Sequence, residues 1–194
     1  MKKLNRINKR LILAGLILSS LISNANAQSH TSELATHTGV YVEPKLLYTM
    51  GKEVSHGASK LDGDAGYGIG FDLGYSFDEY FALEIDGTYS TSNVTETHLG
   101  VSETDRAVFY TYGVNAVFTY PVTEHFILLG KIGYGYEYED LGSLDIKGTE
   151  GGVAWAAGVE YSFNPHVEVS LEYEGADIES ARGDNIQVGL IYKF

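Results

Sequence analysis

The sequence has no cysteine, only three prolines and little basic charge. Without cysteine, the chain can form neither a disulfide framework nor a lipid-anchored N-terminus. Residues 28–194 contain eight Lys and Arg against 26 Asp and Glu, which gives them a formal net charge of −18. That sign excludes nucleic acid as a partner, because phosphate binding needs a basic surface.

Long hydrophobic runs are also scarce, and the mean hydropathy is −0.09. One apolar run, residues 11–22, follows five basic residues and precedes the small-x-small sequence Ala25-Asn26-Ala27. The run is too short to cross a bilayer of roughly 30 Å as a helix. This pattern predicts a cleaved secretory signal peptide over residues 1–27. The polar residues 28–38 are then expected to form a periplasmic arm.

The remaining chain shows apolar and polar residues in alternation, which is typical of half-buried β-strands. Eight segments of about ten residues share the pattern, and each is long enough for a tilted strand to cross a bilayer. Pro44 fits worst, because it cannot donate a ladder hydrogen bond, and it predicts a bulge or a local gap in pairing. The segments are 40–48, 66–77, 81–89, 108–120, 126–138, 152–163, 167–174 and 185–194.

The connections between these segments alternate between short and long. Residues 78–80, 121–125 and 164–166 form tight turns, whereas 51–64, 91–105, 141–151 and 176–184 are long and polar. Short turns at one end and long loops at the other are typical of membrane barrels. The predicted fold is all-β, an eight-stranded antiparallel up-and-down transmembrane β-barrel over residues 39–194. Segment 40–48 should close it against 186–194.

A soluble, lipocalin-like barrel is the alternative architecture. The second face of each segment is rich in Gly, Ala, Ser and charged residues, which suits the crowded interior of an eight-stranded barrel better than a water-facing exterior. Aromatic residues also gather near both ends of the segments, as the two interfaces of a bilayer favour. Both features favour the membrane barrel.

Two stretches carry a resemblance to a known family. Gly74-Tyr75-Ser76-Phe77 and residues 157–165, Ala-Gly-Val-Glu-Tyr-Ser-Phe-Asn-Pro, each run into a tight turn. They resemble the turn-strand pattern of the small outer-membrane barrels, the OmpA N-terminal-domain and OmpX-like superfamily. The last strand also resembles the terminal strand of such proteins. The resemblance implies that Val188, Leu190, Tyr192 and Phe194 form an assembly signal for the barrel-assembly machinery.

Many charged residues fall on the predicted inner face, with more acids than bases. A buried charge is tolerated when it is paired and hydrogen-bonded, so Lys45 and Lys131 should bridge several carboxylates and block the lumen. A wet lumen with separately hydrated charges is the alternative. The predicted interior network comprises Glu43, Lys45, Asp72, Glu84, Asp86, Asn115, Lys131, Glu160, Glu168, Glu172 and Lys193.

Catalytic and metal-binding patterns are weak. The six histidines lack metal-ligand spacing, and no loop has an EF-hand pattern. Ser170 is predicted to face inward while His166 lies in a turn, so they do not form a nucleophile–base pair. We therefore expect no enzyme activity, no metal and no cofactor.

The expected function is that of an integral protein of the outer membrane of a Gram-negative bacterium. Its loops would serve adhesion, host contact or phage contact, and the barrel would support envelope integrity. A narrow porin-like channel for small solutes is the alternative. The expected partners are outer-membrane lipid, lipopolysaccharide, the barrel-assembly machinery and a host or phage surface partner. The protein is expected to be a monomer.

Overall fold

The computed structural model describes residues 38–56, 59–142 and 146–194. The predicted signal peptide and nearly all of the predicted arm lie outside the described residues. No helix in the described ranges is long and apolar enough to cross a membrane. The described strands are β1 (Gly39–Thr49), β2 (Glu53–His56), β3 (Ser59–Gly63), β4 (Gly66–Ser76), β5 (Phe81–His98), β6 (Val101–Pro121), β7 (Phe126–Leu141), β8 (Ile146–Asn164), β9 (Val167–Ala176) and β10 (Asn185–Lys193).

Eight of these strands form the closed antiparallel barrel, which confirms the predicted fold class. Each pairs with its neighbour in the order β1, β4, β5, β6, β7, β8, β9, β10. β1 then pairs with β10, with Tyr41 opposite Lys193 and Thr49 opposite Asn185. The predicted closing pair is therefore correct. We call the end with the short connections the turn end and the opposite end the loop end.

Pro44 produces a gap and no bulge. β1 pairs with β4 without interruption, and Pro44 lies opposite Phe71. On the other side, pairing with β10 stops after Val42 and resumes at Lys45 in the same register. The missing proline N–H thus interrupts one ladder without shifting it.

Three predicted long loops are wrong in part, because strands continue through them. Residues 51–64 contain the hairpin β2–β3, which pairs with the upper part of β5. β5 and β6 run through 91–105 and meet at a tight turn, where Leu99 and Gly100 have positive φ angles of 49° and 83°. β7 and β8 likewise extend to Leu141 and Ile146. The barrel wall therefore rises as tall hairpins at the loop end.

The outward face of the barrel is apolar and carries two aromatic belts. At the turn end, ring pairs include Phe77 with Phe81 and Tyr192 with Phe194, whose centroids are 5.6 and 5.0 Å apart. Nearer the loop end, Tyr89 lies 5.2 Å from Tyr110. Such belts match the two interfaces of a bilayer. The interior, in contrast, is mostly polar and charged.

Candidate functional site

The middle of the lumen is filled by two lysines and four carboxylates, which we call the lysine layer: Lys45, Lys131, Glu43, Asp72, Glu84 and Glu172. Lys131 Nζ lies 2.9 Å from Glu84 Oε1, 3.1 Å from Glu172 Oε2 and 3.3 Å from Asp72 Oδ2. Its side chain is 6% exposed, and the acidic side chains it meets are 1% exposed. These ammonium–carboxylate contacts fill the centre of the barrel with side chains that solvent hardly reaches.

Lys45 joins the same layer from β1. Its Nζ pairs with Asp72 and lies 3.4 Å from Glu172 Oε1 and 3.8 Å from Glu43 Oε2. Glu43 also accepts a hydrogen bond from Ser170 Oγ. The two lysines therefore share three acids from three strands, Glu43, Asp72 and Glu172. Glu84 of a fourth strand meets Lys131 and accepts a hydrogen bond of 2.9 Å from Tyr41 Oη. Paired, hydrogen-bonded charges of this kind are those that a buried site tolerates.

Strand periodicity and glycine build this layer together. Its members occupy inward positions, since side chains alternate between the two faces of a strand. Gly189, opposite Lys45, is required by space, because a Cβ there would collide with the Glu43 carboxylate and approach Ser170 Oγ. A small residue on β10 thus makes room for the large charged side chains of β1.

Two other predicted members of the interior network, Asp86 and Asn115, form a pair beside the lysine layer. Asp86 accepts a hydrogen bond of 2.8 Å from Asn115 Nδ2, and within the described residues it forms no ion pair with a lysine. In the strand register Asp86 lies opposite Asp72, and Asn115 lies opposite Glu84.

The rest of the predicted network lies at the turn end. There Lys193 Nζ lies 2.8 Å from Glu168 Oε1, and Glu160 lines the same small cavity of about 40 Å³. The structure therefore divides the predicted network into three groups.

The geometry also bears on metal binding. Ligand oxygens of Glu43, Asp72 and Glu84 lie within 4.8 Å of one another, which is a spacing that could hold a metal ion. However, the ammonium groups of Lys45 and Lys131 already lie among these carboxylates. The lysines therefore supply the positive charge that a metal ion would otherwise bring.

The loop end of the lumen is covered by residues 177–184, which we call the lid. The backbone carbonyls of Ala181, Arg182 and Asp184 accept hydrogen bonds of 2.9–3.0 Å from the N–H groups of Lys52, Gly51 and Met50. At its start, Asp177 N–H donates to the Val153 carbonyl at 2.9 Å. Sequence analysis predicted a polar surface loop here, whereas this loop folds back into the mouth of the barrel.

Apolar side chains seat the lid. Ala181 packs in a fully buried cluster with Val94, Ala107 and Phe109, and Leu61 of β3 borders it. Ile178 is also buried. Phe109 points inward from β6 at the loop end and forms the floor under Ala181, so lid and barrel bury apolar surface against each other.

A charged group lies beside this seat, and we call it the arginine pocket: Glu137 of β7 and Glu174 of β9 around Arg182. Arg182 Nε lies 2.6 Å from Glu137 Oε2, and its Nη2 lies 3.7 Å from Glu174 Oε1. Arg182 is 4% exposed although it belongs to a loop. Asn185 Nδ2 and Gln187 Nε2 each donate to Glu174 at 2.9 Å, which fixes that carboxylate.

Sequence reasoning missed the arginine pocket. Glu137 and Glu174 stand at inward positions of their strands, so alternation could have included them. The inward fold of the lid had a weaker signal: Ile178 and Ala181 are apolar residues within an otherwise polar loop. Nothing local in the sequence pairs Arg182 with a glutamate 45 positions earlier.

Known proteins share this architecture. Residues 14–194 match a family model described as "Outer membrane protein beta-barrel domain". The fold is similar to OprG of Pseudomonas aeruginosa, with TM-score 0.61 and 15% identity over 83% of this chain and 99% of that chain. It is also similar to Ail of Yersinia pestis, with TM-score 0.55 and 16% identity over 81% of this chain and 100% of that chain. It is similar to Neisserial surface protein A as well, with TM-score 0.56 and 18% identity over 81% of this chain and 98% of that chain. No curated protein matches the sequence.

Proposed function

We propose that this chain, which belongs to the outer membrane protein β-barrel family, is a non-enzymatic, non-conducting barrel whose tall hairpins contact partners outside the cell. The lysine layer carries the proposal. Its side chains are nearly inaccessible to solvent and occupy the centre of the lumen. A blocked lumen leaves the outer surface as the part of the molecule that can act on its surroundings.

The outer part of the β5–β6 hairpin suits a contact role. Cross-strand hydroxyl pairs stiffen it, with Thr95 Oγ1 2.8 Å from Thr104 Oγ1 and Thr97 Oγ1 2.9 Å from Ser102 Oγ. Its tip presents apolar side chains, since Leu99 and Val101 are 82% and 73% exposed. Exposed apolar side chains held on a stiff hairpin favour adhesion, host contact or phage contact. One structural relative is named the attachment invasion locus protein.

A tip variant tests the contact role. Bacteria that express Leu99→Ser/Val101→Ser should adhere less to host cells, or adsorb less phage, than bacteria with the unchanged protein. Val122→Ser is the matched control, because Val122 is 54% exposed in a short connection at the opposite end of the barrel. Equal adhesion and adsorption by tip variant, control and deletion strain would refute the contact role. The proposed role in envelope integrity has its own test. The deletion strain should be more sensitive to detergent than the strain with the unchanged protein.

The non-enzymatic assignment rests on the separation of the reactive groups. Ser170 Oγ donates to Glu43 inside the barrel, whereas His166 Nδ1 lies 2.9 Å from the Lys193 carbonyl oxygen at the turn end. A nucleophile needs its base within hydrogen-bond reach. The proposal also includes a cleaved signal peptide over residues 1–27, insertion through the assembly signal at the C-terminus, contact with lipid and lipopolysaccharide, and a monomeric state.

A narrow cation pore is the second candidate, and the charge of the lumen favours it. The lysine layer holds four carboxylates against two ammonium groups. Such an excess of acid would attract small cations. Purified protein in planar bilayers should show no steady conductance if the lumen is blocked, while reproducible cation-selective steps would replace our proposal with the pore.

A further inference from the structure

Arg182 is a loop residue with the environment of a core residue. Its side chain is 5% exposed, and its guanidinium meets two carboxylates from different strands. The pocket that receives it belongs to the barrel wall: Glu137, Glu174, Asn185 and Gln187 all lie on strands. The carboxylate and amide groups of the pocket therefore come from the wall, and the lid supplies the cation, Arg182, that they surround.

Unmet hydrogen bonds in this pocket point to a ligand with many donors. Glu137 Oε1 and Gln187 Oε1 are buried acceptors without a hydrogen-bond partner among the described residues. Glu137 and Gln187 are 3% and 1% exposed. A guanidinium offers five N–H donors in a planar fork, which suits two carboxylates better than a single ammonium does. Arg182, held by one polar loop, uses this capacity incompletely: among the described residues neither its Nε nor its Nη1 has a hydrogen-bond partner, although Nε lies within ion-pair distance of Glu137.

We propose that the arginine pocket is a guanidinium-binding site, which Arg182 fills in the resting protein and which an arginine side chain of a basic partner segment fills after displacing the lid. The ligand class follows from the acidic pocket and from the net charge of −18 over residues 28–194, which attracts basic segments. The inference deepens the proposed contact function and rests on it for the partner. The guanidinium site itself does not depend on that function.

Chemical rescue tests the site. Arg182→Ala should free the lid, so that protease Glu-C cuts after Glu179 faster in the purified, detergent-folded protein. In this variant the closed lid covers carboxylates that have lost their cation, so guanidinium chloride should bind the closed form in preference to the open one and slow the cut. At about ten times its dissociation constant for the closed form, the protection should rise about tenfold. Sodium chloride at equal concentration should not. If Arg182→Ala fails to fold, the same salts are compared by refolding yield, which guanidinium alone should raise.

Two controls assign the rescue to the pocket. Arg106→Ala removes an exposed arginine whose Nε donates to Thr91 Oγ1, so guanidinium should not change its cleavage. Glu137→Gln in the Arg182→Ala background should abolish the rescue. The site would be overturned if Arg106→Ala responds to guanidinium equally, if the rescue persists in the double variant Glu137→Gln/Arg182→Ala, or if guanidinium gives no rescue.

Displacement in the unchanged protein tests the partner chemistry. A hexa-arginine peptide should speed Glu-C cleavage at the lid, and hexa-lysine should do so several-fold less, because an ammonium lacks the bidentate fork. The proposed partner class would be refuted if the two peptides speed lid cleavage equally, or if neither peptide changes it. Guanidinium rescue without adhesion or adsorption in cells would count against the contact function alone. Adhesion without rescue would overturn this site alone.

Discussion

The lysine layer and the lid both close the lumen, but they are made from different parts of the chain. In the lysine layer every charged group projects from a barrel strand, so the strand registers fix its geometry. In the lid, Arg182 and Ala181 come from a loop and meet strand residues such as Glu137 and Phe109. The first closure belongs to the wall itself, and the second is a segment placed on top of it.

This difference separates the energetics of the two closures. Breaking the lysine layer leaves buried carboxylates without their cations, and no local motion can expose them to water, so the cost falls on the whole barrel. The lid can leave the mouth while the strands stay paired, and local opening of that kind costs less than global unfolding. Substitutions in the layer should therefore change global stability, whereas substitutions at the lid should change local opening.

The largest expected effect is that of Lys131→Met. Methionine keeps much of the side-chain volume but removes the charge that bridges Glu84, Asp72 and Glu172, and a broken buried pair costs on the order of 3–5 kcal/mol. Denaturant unfolding in detergent or liposomes should show a clearly lower midpoint. Lys60→Met is the matched control, because Lys60 pairs with Glu53 on the exposed hairpin, and its midpoint should not move. An unchanged midpoint for Lys131→Met, together with steady conductance, would favour a wet pore.

An intermediate effect is expected at the seat of the lid. Phe109→Ala removes a fully buried ring under Ala181, and such a truncation costs about 3 kcal/mol. Because the lid can open locally, this loss should appear mainly as faster Glu-C cleavage after Glu179, with a smaller change in the global midpoint. Phe71→Ala is the control, since Phe71 faces outward and is 51% exposed. Equal lid cleavage in both variants would show that Phe109 does not seat the lid.

The same difference explains how far the sequence could predict the structure. The membrane part was predictable because lipid outside and a polar lumen inside impose strict alternation, as in Tyr67 to Phe77 of β4 and its turn. Above the membrane both faces of a strand can be polar, so the alternation disappears. Residues 91–98, Thr-Ser-Asn-Val-Thr-Glu-Thr-His, consequently appeared to be a loop although they continue β5.

The candidate site was predictable to the same extent. Inward positions of the strands gave the members of the lysine layer, but not which of them touch, because alternation fixes the face of a side chain and not its contacts. Asp86 and Asn115, for example, lie opposite Asp72 and Glu84 but bond to each other. The lid depends on contacts between Arg182 and distant residues, which no local pattern encodes.

The smallest expected effect is that of Tyr173→Phe at the end of the lid. Tyr173 Oη donates a 2.5 Å hydrogen bond to Asp184 Oδ2, which ties the last lid residue to the wall of β9. The ring remains in the variant, so its contact with Trp155, 5.7 Å between centroids, should persist. The loss is then one hydrogen bond to a carboxylate, about 1.5 kcal/mol. This should raise lid cleavage by Glu-C about tenfold if the bond holds the lid directly, while the global midpoint stays nearly constant.

Tyr67→Phe is the control for this prediction. It removes a hydroxyl from a ring that is 72% exposed, and it should leave lid cleavage unchanged. If Tyr173→Phe instead lowers the global midpoint as much as Lys131→Met does, the lid is part of the cooperative barrel and the distinction between the two closures fails.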